Sequence, residues 1–432
     1  MDSPDRSRPP KTTWFDYRPL PLCQITEPED GITLHIVDNG TMPAGNLSLV
    51  WEYGRNEACH TPGGAETAGM AATLLAEGTS HMAGEGIASL TDFHGAVLNA
   101  RATDHHSYLD LICLNDSLPE LVPLIAGIFS DATIPDKAFQ ALRTRMALRR
   151  RMELTQPATV AANALNTLIA GKNHPYACRQ TAEEIEAIRR EDVYETYRKG
   201  RETGKLHIFF GGKADNAVID TLQHLCHIIA RSRAWRPVTP VTQPFNSAPP
   251  QRMDLSVPGS MQTSITAAIP AIGRNHPDYI PLRLTVMALG GYFGSRLMTN
   301  IREDKGLTYG ISAALCGQRE GAYISIGAQC PNGVSDMVIN EIGNEMTRLG
   351  TQLMDSAELT GLRRYASSQL MAVLDSPFSI MGHYRNELII GTPRDYFEQQ
   401  FHAIEKLSAD TIVRTAARYL VPDRMRIVTA GG

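Results

Sequence analysis

No stretch of this chain is apolar for long enough to cross a bilayer, and its opening residues, MDSPDRSRPPKTTWFDYRP, hold no hydrophobic core of a secretory leader. Cysteines are few and unpaired. Cys23, Cys59, Cys113, Cys178, Cys226, Cys316 and Cys330 are scattered and form no CxxC, so they read as free thiols rather than a disulfide framework or a zinc knuckle. Excess positive charge is missing too: 41 basic against 46 acidic residues give a net charge of −5, which provides no electrostatic reason to expect nucleic acid. The run Arg149-Arg150-Arg151 is local and reads as a solvated helix face. Free thiols without a leader point to the cytoplasm, whereas a leader trimmed ahead of Met1 would suit the periplasm or cell envelope; the compartment stays open.

What is present is the composition of a globular protein, 43% hydrophobic and 20% charged, over 432 residues that suffice for two or three cores. Residues 1–24 form a polar, proline-rich arm, read as a disordered start or a segment that wraps a partner. Strand signals follow at Ile32–Val37 and Leu47–Tyr53, with a strand pair or one long strand at Ala96–Leu114; a closing strand lies at Lys205–Phe210. Helices are expected over Ala65–Ala76, Gly86–His94, Leu118–Phe129, Asp136–Leu154, Pro157–Ala170 and Ala182–Lys199. Ala234–Arg252 carries five prolines and little periodicity, which sets the boundaries at 25–232, a linker over 233–252, and 253–432.

The second unit repeats the first. Gly95–Asn99 matches Gly306–Gly310, Tyr108–Leu111 matches Tyr323–Ile326, Leu154–Pro157 matches Leu374–Pro377, and Leu168–Gly171 matches Leu388–Gly391. The expected fold class is therefore α+β: two tandem α/β-roll repeats, each a mostly antiparallel sheet with helices on one face.

One stretch concentrates the chemistry. Gly290–Gly310, reading GGYFGSRLMTNIREDKGLTYG, combines a glycine-rich turn, a short amphipathic helix carrying Arg302, and a turn into a strand carrying Tyr309. Two such donors can converge on one substrate atom. From the residues alone, Arg302 pairing with Glu303 and Tyr309 packing on its sheet is an equal alternative. The first repeat has Thr91 and Leu98 at these positions, so folding of the repeat does not require the pair.

The segments Gly290–Tyr309, Gly95–Ala100, His174-Pro175-Tyr176 and Arg190-Glu191-Asp192 resemble the insulinase or pitrilysin type of metallopeptidase, which includes the mitochondrial processing peptidases. The resemblance implies a clam-like chamber for unfolded peptides and a zinc held by an inverted HxxEH motif plus a downstream glutamate. With Gly78-Thr79 setting the register, Gly69, Ala72 and Thr73 stand where the motif has His, Glu and His, and Arg150 stands at the glutamate position. These degenerate positions offer no ligand, and Arg150 would repel a cation. The remaining histidines do not replace them: His402 with Glu405 lacks a second His, and His105-His106 would point to opposite faces of a strand. His224 and His227 around Cys226 read as partly buried structural residues.

In the family an arginine and a tyrosine at the separation of Arg302 and Tyr309 donate to the scissile carbonyl, and the strand matching Leu98, Asn99 and Ala100 pairs with substrate main chain. The resemblance therefore implies a non-catalytic, substrate-binding subunit. It would have no cofactor of its own and would act with an HxxEH-bearing homologous partner that supplies zinc. The alternative is a structural or peptide-binding assembly module, as in the core subunits of a respiratory complex. A free-standing peptidase with an unorthodox metal site is disfavoured by the substitutions.

Overall fold

The computed structural model describes residues 16–38, 43–238 and 243–432; expectations for residues 1–15 and 239–242, within the arm and the linker, fall outside them. The first sheet contains β1 (Cys23–Glu29), β2 (Ile32–Asp38), β3 (Ala44–Trp51), β4 (Val97–Ala102), β5 (Ser107–Leu114) and β6 (Leu206–Gly212) in the order β1-β2-β6-β3-β5-β4. The second contains β7 (Gln251–Ser256), β8 (Gln262–Ala271), β9 (Gly310–Gly317), β10 (Ala322–Pro331) and β11 (Arg426–Gly431) in the order β7-β11-β8-β10-β9. Dropping β1 makes the two orders identical. In each sheet the closing strand pairs in parallel with one neighbour, β6 with β2 and β11 with β7, and the other pairings are antiparallel. The repeat read from the sequence is thus a repeat of topology, down to Gly95 and Gly306 at φ +58° and +61° in the turns before β4 and β9.

Each sheet packs its main helical layer on one face, with Leu34, Leu49, Phe210, Phe129 and Leu121 in the first core and Ile265, Ile324, Leu282, Met346 and Leu362 in the second. The structure adds a helix on the opposite face, and it comes from the other half. Pro157–Ala170 sets Ala161, Leu165 and Ile169 against Ala268, Val428 and Ala430 of the second sheet. Pro377–Ile390 sets Ile380 and Met381 against Val37, Val50, Tyr108 and Phe209 of the first. The repeated motifs bound these helices: Pro157 and Pro377 open them, and Gly171 (φ +100°) and Gly391 (φ +75°) close them. This explains why β2, ITLHIVD, is buried from Ile32 through Val37 instead of alternating, since both its faces are covered.

Polar contacts fasten the exchanged helix Pro377–Ile390. Arg385 donates to Ser48 Oγ at 3.0 Å and lies 3.3 Å from Asp110 Oδ1, and Tyr384 donates to the Pro21 carbonyl at 2.7 Å. The described part of the arm crosses to the second half, where Tyr17 packs on Phe401 with ring centroids 5.0 Å apart. The expected helix Ala182–Lys199 is instead two, Ala182–Glu186 and Arg190–Thr203. Asp192 takes the Arg189 backbone N–H at 3.0 Å and starts a new helix there. Among the described residues no helix is long and apolar enough to cross a membrane.

Candidate functional site

Arg302 lies in Met298–Asp304, which is π-helical rather than the expected ordinary amphipathic turn: Lys305 N–H reaches the Asn300 carbonyl, five residues back, at 3.1 Å. Asn300 is fixed from outside by Glu345 at 2.7 Å and Glu341 at 3.1 Å, and Lys305 binds Glu341 at 2.5 Å. Ile301 is fully buried beneath, so the next side chain, Arg302, turns outward from an anchored backbone. Its guanidinium sits 4.7 Å from the Phe293 ring centroid and 5.5 Å from that of Tyr309. Among the described residues Arg302 forms no ion pair, and the alternative of pairing with Glu303 is not the arrangement found.

Tyr309 does not pack on the sheet. It stands one residue before β9 and is 88% exposed, while Thr308 beside it is buried and donates to the carbonyls of Gly310 and Gln329 at 2.9 and 2.5 Å. The ring borders a cleft of about 550 Å³ floored by β8, β9 and β10, with Ala158 of the exchanged helix Pro157–Ala170 on its wall. In the first half the matching Thr91 is buried and bonds its own helix through the Ile87 carbonyl. The repeat thus folds with or without an outward arginine.

Leu98, Asn99 and Ala100 lie on β4, the edge of the first sheet, with Val97, Asn99 and Arg101 exposed. Gly69, Ala72 and Thr73 lie on the helix Glu66–Leu74, which packs against that strand. Zinc does not fit these positions. Thr73 turns its hydroxyl back to the Gly69 carbonyl at 2.9 Å, Ala72 is buried, and a side chain at Gly69 would enter open space. Arg150 is not part of a solvated face but points inward to Glu66 at 3.0 Å, and Glu66 also takes Arg55 at 3.3 Å. The cation is therefore neutralised locally. Sequence reading missed Glu66, although its place three residues before Gly69 on one helix was the available signal. Among the described residues no three His, Cys, Asp or Glu side chains converge as a metal site.

Other histidines depart from expectation. His105 and His106 sit in the turn before β5, not in a strand. His105 Nε2 lies 2.8 Å from Tyr176 Oη and 3.1 Å from Glu320 Oε2 of the second half, and Nδ1 lies 3.4 Å from Glu57. Burial depresses its basicity, but hydrogen bonds to the two carboxylates prevail and push its pKa up to about 9. His224 and His227 are exposed while Cys226 is buried, and His227 pairs with Glu29 at 3.1 Å. His402 is half-exposed between Glu398 and Glu405 on its own helix.

Residues 187–365 match the family model described as Peptidase M16 inactive domain, a span that runs from the end of the first half into the second. A zinc protease of Mycobacterium bovis, named as uncharacterized, is 24% identical over 367 residues, covering 83% of this chain and 82% of that one. The non-peptidase homolog YmxG of Helicobacter pylori is 23% identical over 282 residues, covering 63% of this chain and 62% of its own. The crystal structure of a peptidase M16 inactive domain from Pseudomonas fluorescens superposes with a TM-score of 0.86 at 21% identity, over 95% of this chain and 98% of that one. In fold, and in sequence across the join between its halves, this chain resembles the M16 type of metallopeptidase in the form described as inactive.

Proposed function

We propose that this chain is the non-catalytic, substrate-binding subunit of a two-chain zinc metallopeptidase acting on unfolded peptides. Arg302 and Tyr309 would face the scissile carbonyl, and an HxxEH-bearing homologous subunit would hold the metal. The observation that carries this reading is the exposure of Tyr309 beside a guanidinium that has no ion-pair partner among the described residues. Full burial of a large apolar side chain stabilises a fold by about 1.5–3 kcal/mol, and this ring forgoes most of that. A phenol and a guanidinium held on an anchored turn are instead suited to donate to an oxygen that gains negative charge as a peptide bond is attacked.

The cleft bordered by Tyr309 supports the same reading, since it runs along strands that can flank an extended chain. β4, with Leu98, Asn99 and Ala100, offers exposed main chain for pairing that tolerates many sequences. Gly69, Ala72, Thr73 and Arg150 supply no metal ligand, which is why the general base and the metal are assigned to a partner.

The test is to purify the chain with an HxxEH homologue from the same genome and measure cleavage of a quenched unfolded peptide. Arg302→Ala and Tyr309→Phe should each lower kcat by about 10²–10³, with non-additive losses in the double variant. Association of the two chains should be unaffected. Full activity of the double variant would reject the clamp and leave the assembly-module reading. Stoichiometric zinc and cleavage by the isolated chain would reject the two-chain reading.

A further inference from the structure

We propose that the second half holds a second binding site, for a small anion of the carboxylate or phosphate class, between Arg274, Arg283 and Tyr396 on the inner flank of the exchanged helix Pro377–Ile390. The site is a cavity of about 290 Å³ whose polar lining includes Arg274, Tyr279, Arg283, His383, Glu387 and Tyr396. It is separate from the Arg302–Tyr309 cleft and independent of the peptidase reading.

Charge and hydrogen-bond satisfaction both point to an anion. Glu387 is the one carboxylate in the lining; His383 Nε2 stands 2.6 Å from its Oε1, but neither atom makes a hydrogen bond of proper geometry, so Glu387 is set against the two arginines Arg274 and Arg283 that share the cavity. Arg283 donates to the neutral carboxamide of Gln400, and Arg274 lies 5.8 Å from the Tyr279 ring; among the described residues neither pairs with a carboxylate. Tyr396 is 5% exposed, yet its hydroxyl has no hydrogen-bond partner within the protein, and neither has Arg274 Nε. Other buried polar atoms of the chain are in the same state, but here those of Arg274, His383, Glu387 and Tyr396 line one cavity. Burial raises the Tyr396 pKa, with Tyr279 and Glu387 adding to it and Arg283 and Arg274 opposing it; the two guanidiniums and the phenol line one cavity.

Two guanidiniums, which can only donate, and a phenol O–H that is free to donate are matched to carboxylate or phosphate oxygens. The volume equals roughly ten waters at their liquid share, enough for a small metabolite and too little for a peptide segment. Leu315 and Ile390 give the cavity an aliphatic side for a short carbon skeleton. The exchanged helix uses two stripes: Ile380, Met381 and Tyr384 face the first half, while His383, Glu387 and Ile390 face the cavity. An occupant would brace the helix that clasps the two halves.

The probes are sodium phosphate and sodium succinate added to the intact chain up to about 10 mM, a hundredfold over a dissociation constant of about 0.1 mM, against sodium chloride at matched ionic strength. One of the two should raise Tm by about 5 °C, saturably and at one equivalent by calorimetry, and should slow hydrogen exchange in 377–390. Whichever acts identifies the headgroup. Tyr396→Phe should weaken the response at least tenfold without lowering Tm in chloride, because it removes a hydroxyl that has no partner in the protein. Arg274→Gln should weaken it further, and the surface change Arg149→Gln should leave it intact. If Arg274→Gln fails to fold, Tyr396→Phe decides. The proposal is overturned if all three salts act alike, or if saturable binding persists in Tyr396→Phe and Arg274→Gln.

Discussion

Replacing His105 with glutamine isolates a titration that spans the two halves. In the native protein the imidazole, with its side chain 11% exposed, sits between Glu57 and Glu320, with Tyr176 Oη at 2.8 Å. Its pKa of about 9 lies well above the ordinary imidazole value of 6.5. A group with a raised native pKa contributes stability that is complete below the unfolded pKa and is lost as pH rises through the native one. The window is therefore pH 6.5 to about 9, and the contribution at its acid end is about 3 kcal/mol. Within that window the native state binds one proton more than the unfolded state, so stability should fall by about 1.4 kcal/mol per pH unit. Glu320 works in the opposite direction. Burial raises its pKa but the hydrogen bond from His105 lowers it further, so its contribution is present above the ordinary carboxylate range and lost in acid. Urea denaturation at pH steps from 6 to 9.5, followed by tryptophan fluorescence, should show an alkaline decline in the wild type that is absent in His105→Gln. Parallel curves for the two proteins would refute the reasoning. They would mean that the ring is not a shared cation between the halves.

Two further predictions concern other parts of the chain. Burial drives His35 and His106 the other way, to about 3, with His207 and Lys205 adding to the effect at His35 and Arg319 at His106, where Glu52 opposes it. Both should stay neutral in the native state, so each should cost stability as pH falls below 6.5; ring resonances of either that titrate above pH 5 in the folded protein would contradict this. The quadruple variant Gly69→His, Ala72→Glu, Thr73→His, Arg150→Glu should acquire about one equivalent of zinc by elemental analysis. A Cβ at Gly69 meets nothing within 4 Å, so that imidazole has room. Failure to retain zinc in a folded variant would mean that the helix Glu66–Leu74 no longer presents the site.

Much of the architecture was legible because it rests on local chemistry. Glycines that need positive φ, prolines that open helices and strand alternation marked equivalent points in the two halves, and the sheets repeat accordingly. That Gly69, Ala72, Thr73 and Arg150 include no His, Cys, Asp or Glu is likewise a property of the residues themselves. The misreadings were tertiary. Arg150 looked solvated because its neighbours Arg149 and Arg151 are, yet it turns inward to Glu66, 84 positions away. His105 looked like half of an ineffective strand pair, and its second carboxylate lies 215 positions further on.

By itself the sequence determined the repeat, the residue types at Gly69, Ala72, Thr73 and Arg150, and the presence of an arginine and a tyrosine seven residues apart with no counterpart in the first half. The tertiary structure decided what those residues do with their surfaces. It wraps each half with a helix from the other, which buries both faces of β2. It leaves Tyr309 in solvent with Arg302 against its ring, and it gathers Arg274, Arg283 and Tyr396 around a cavity. Residue type sets which interactions are available, but burial and pairing depend on what the remote chain brings to each side.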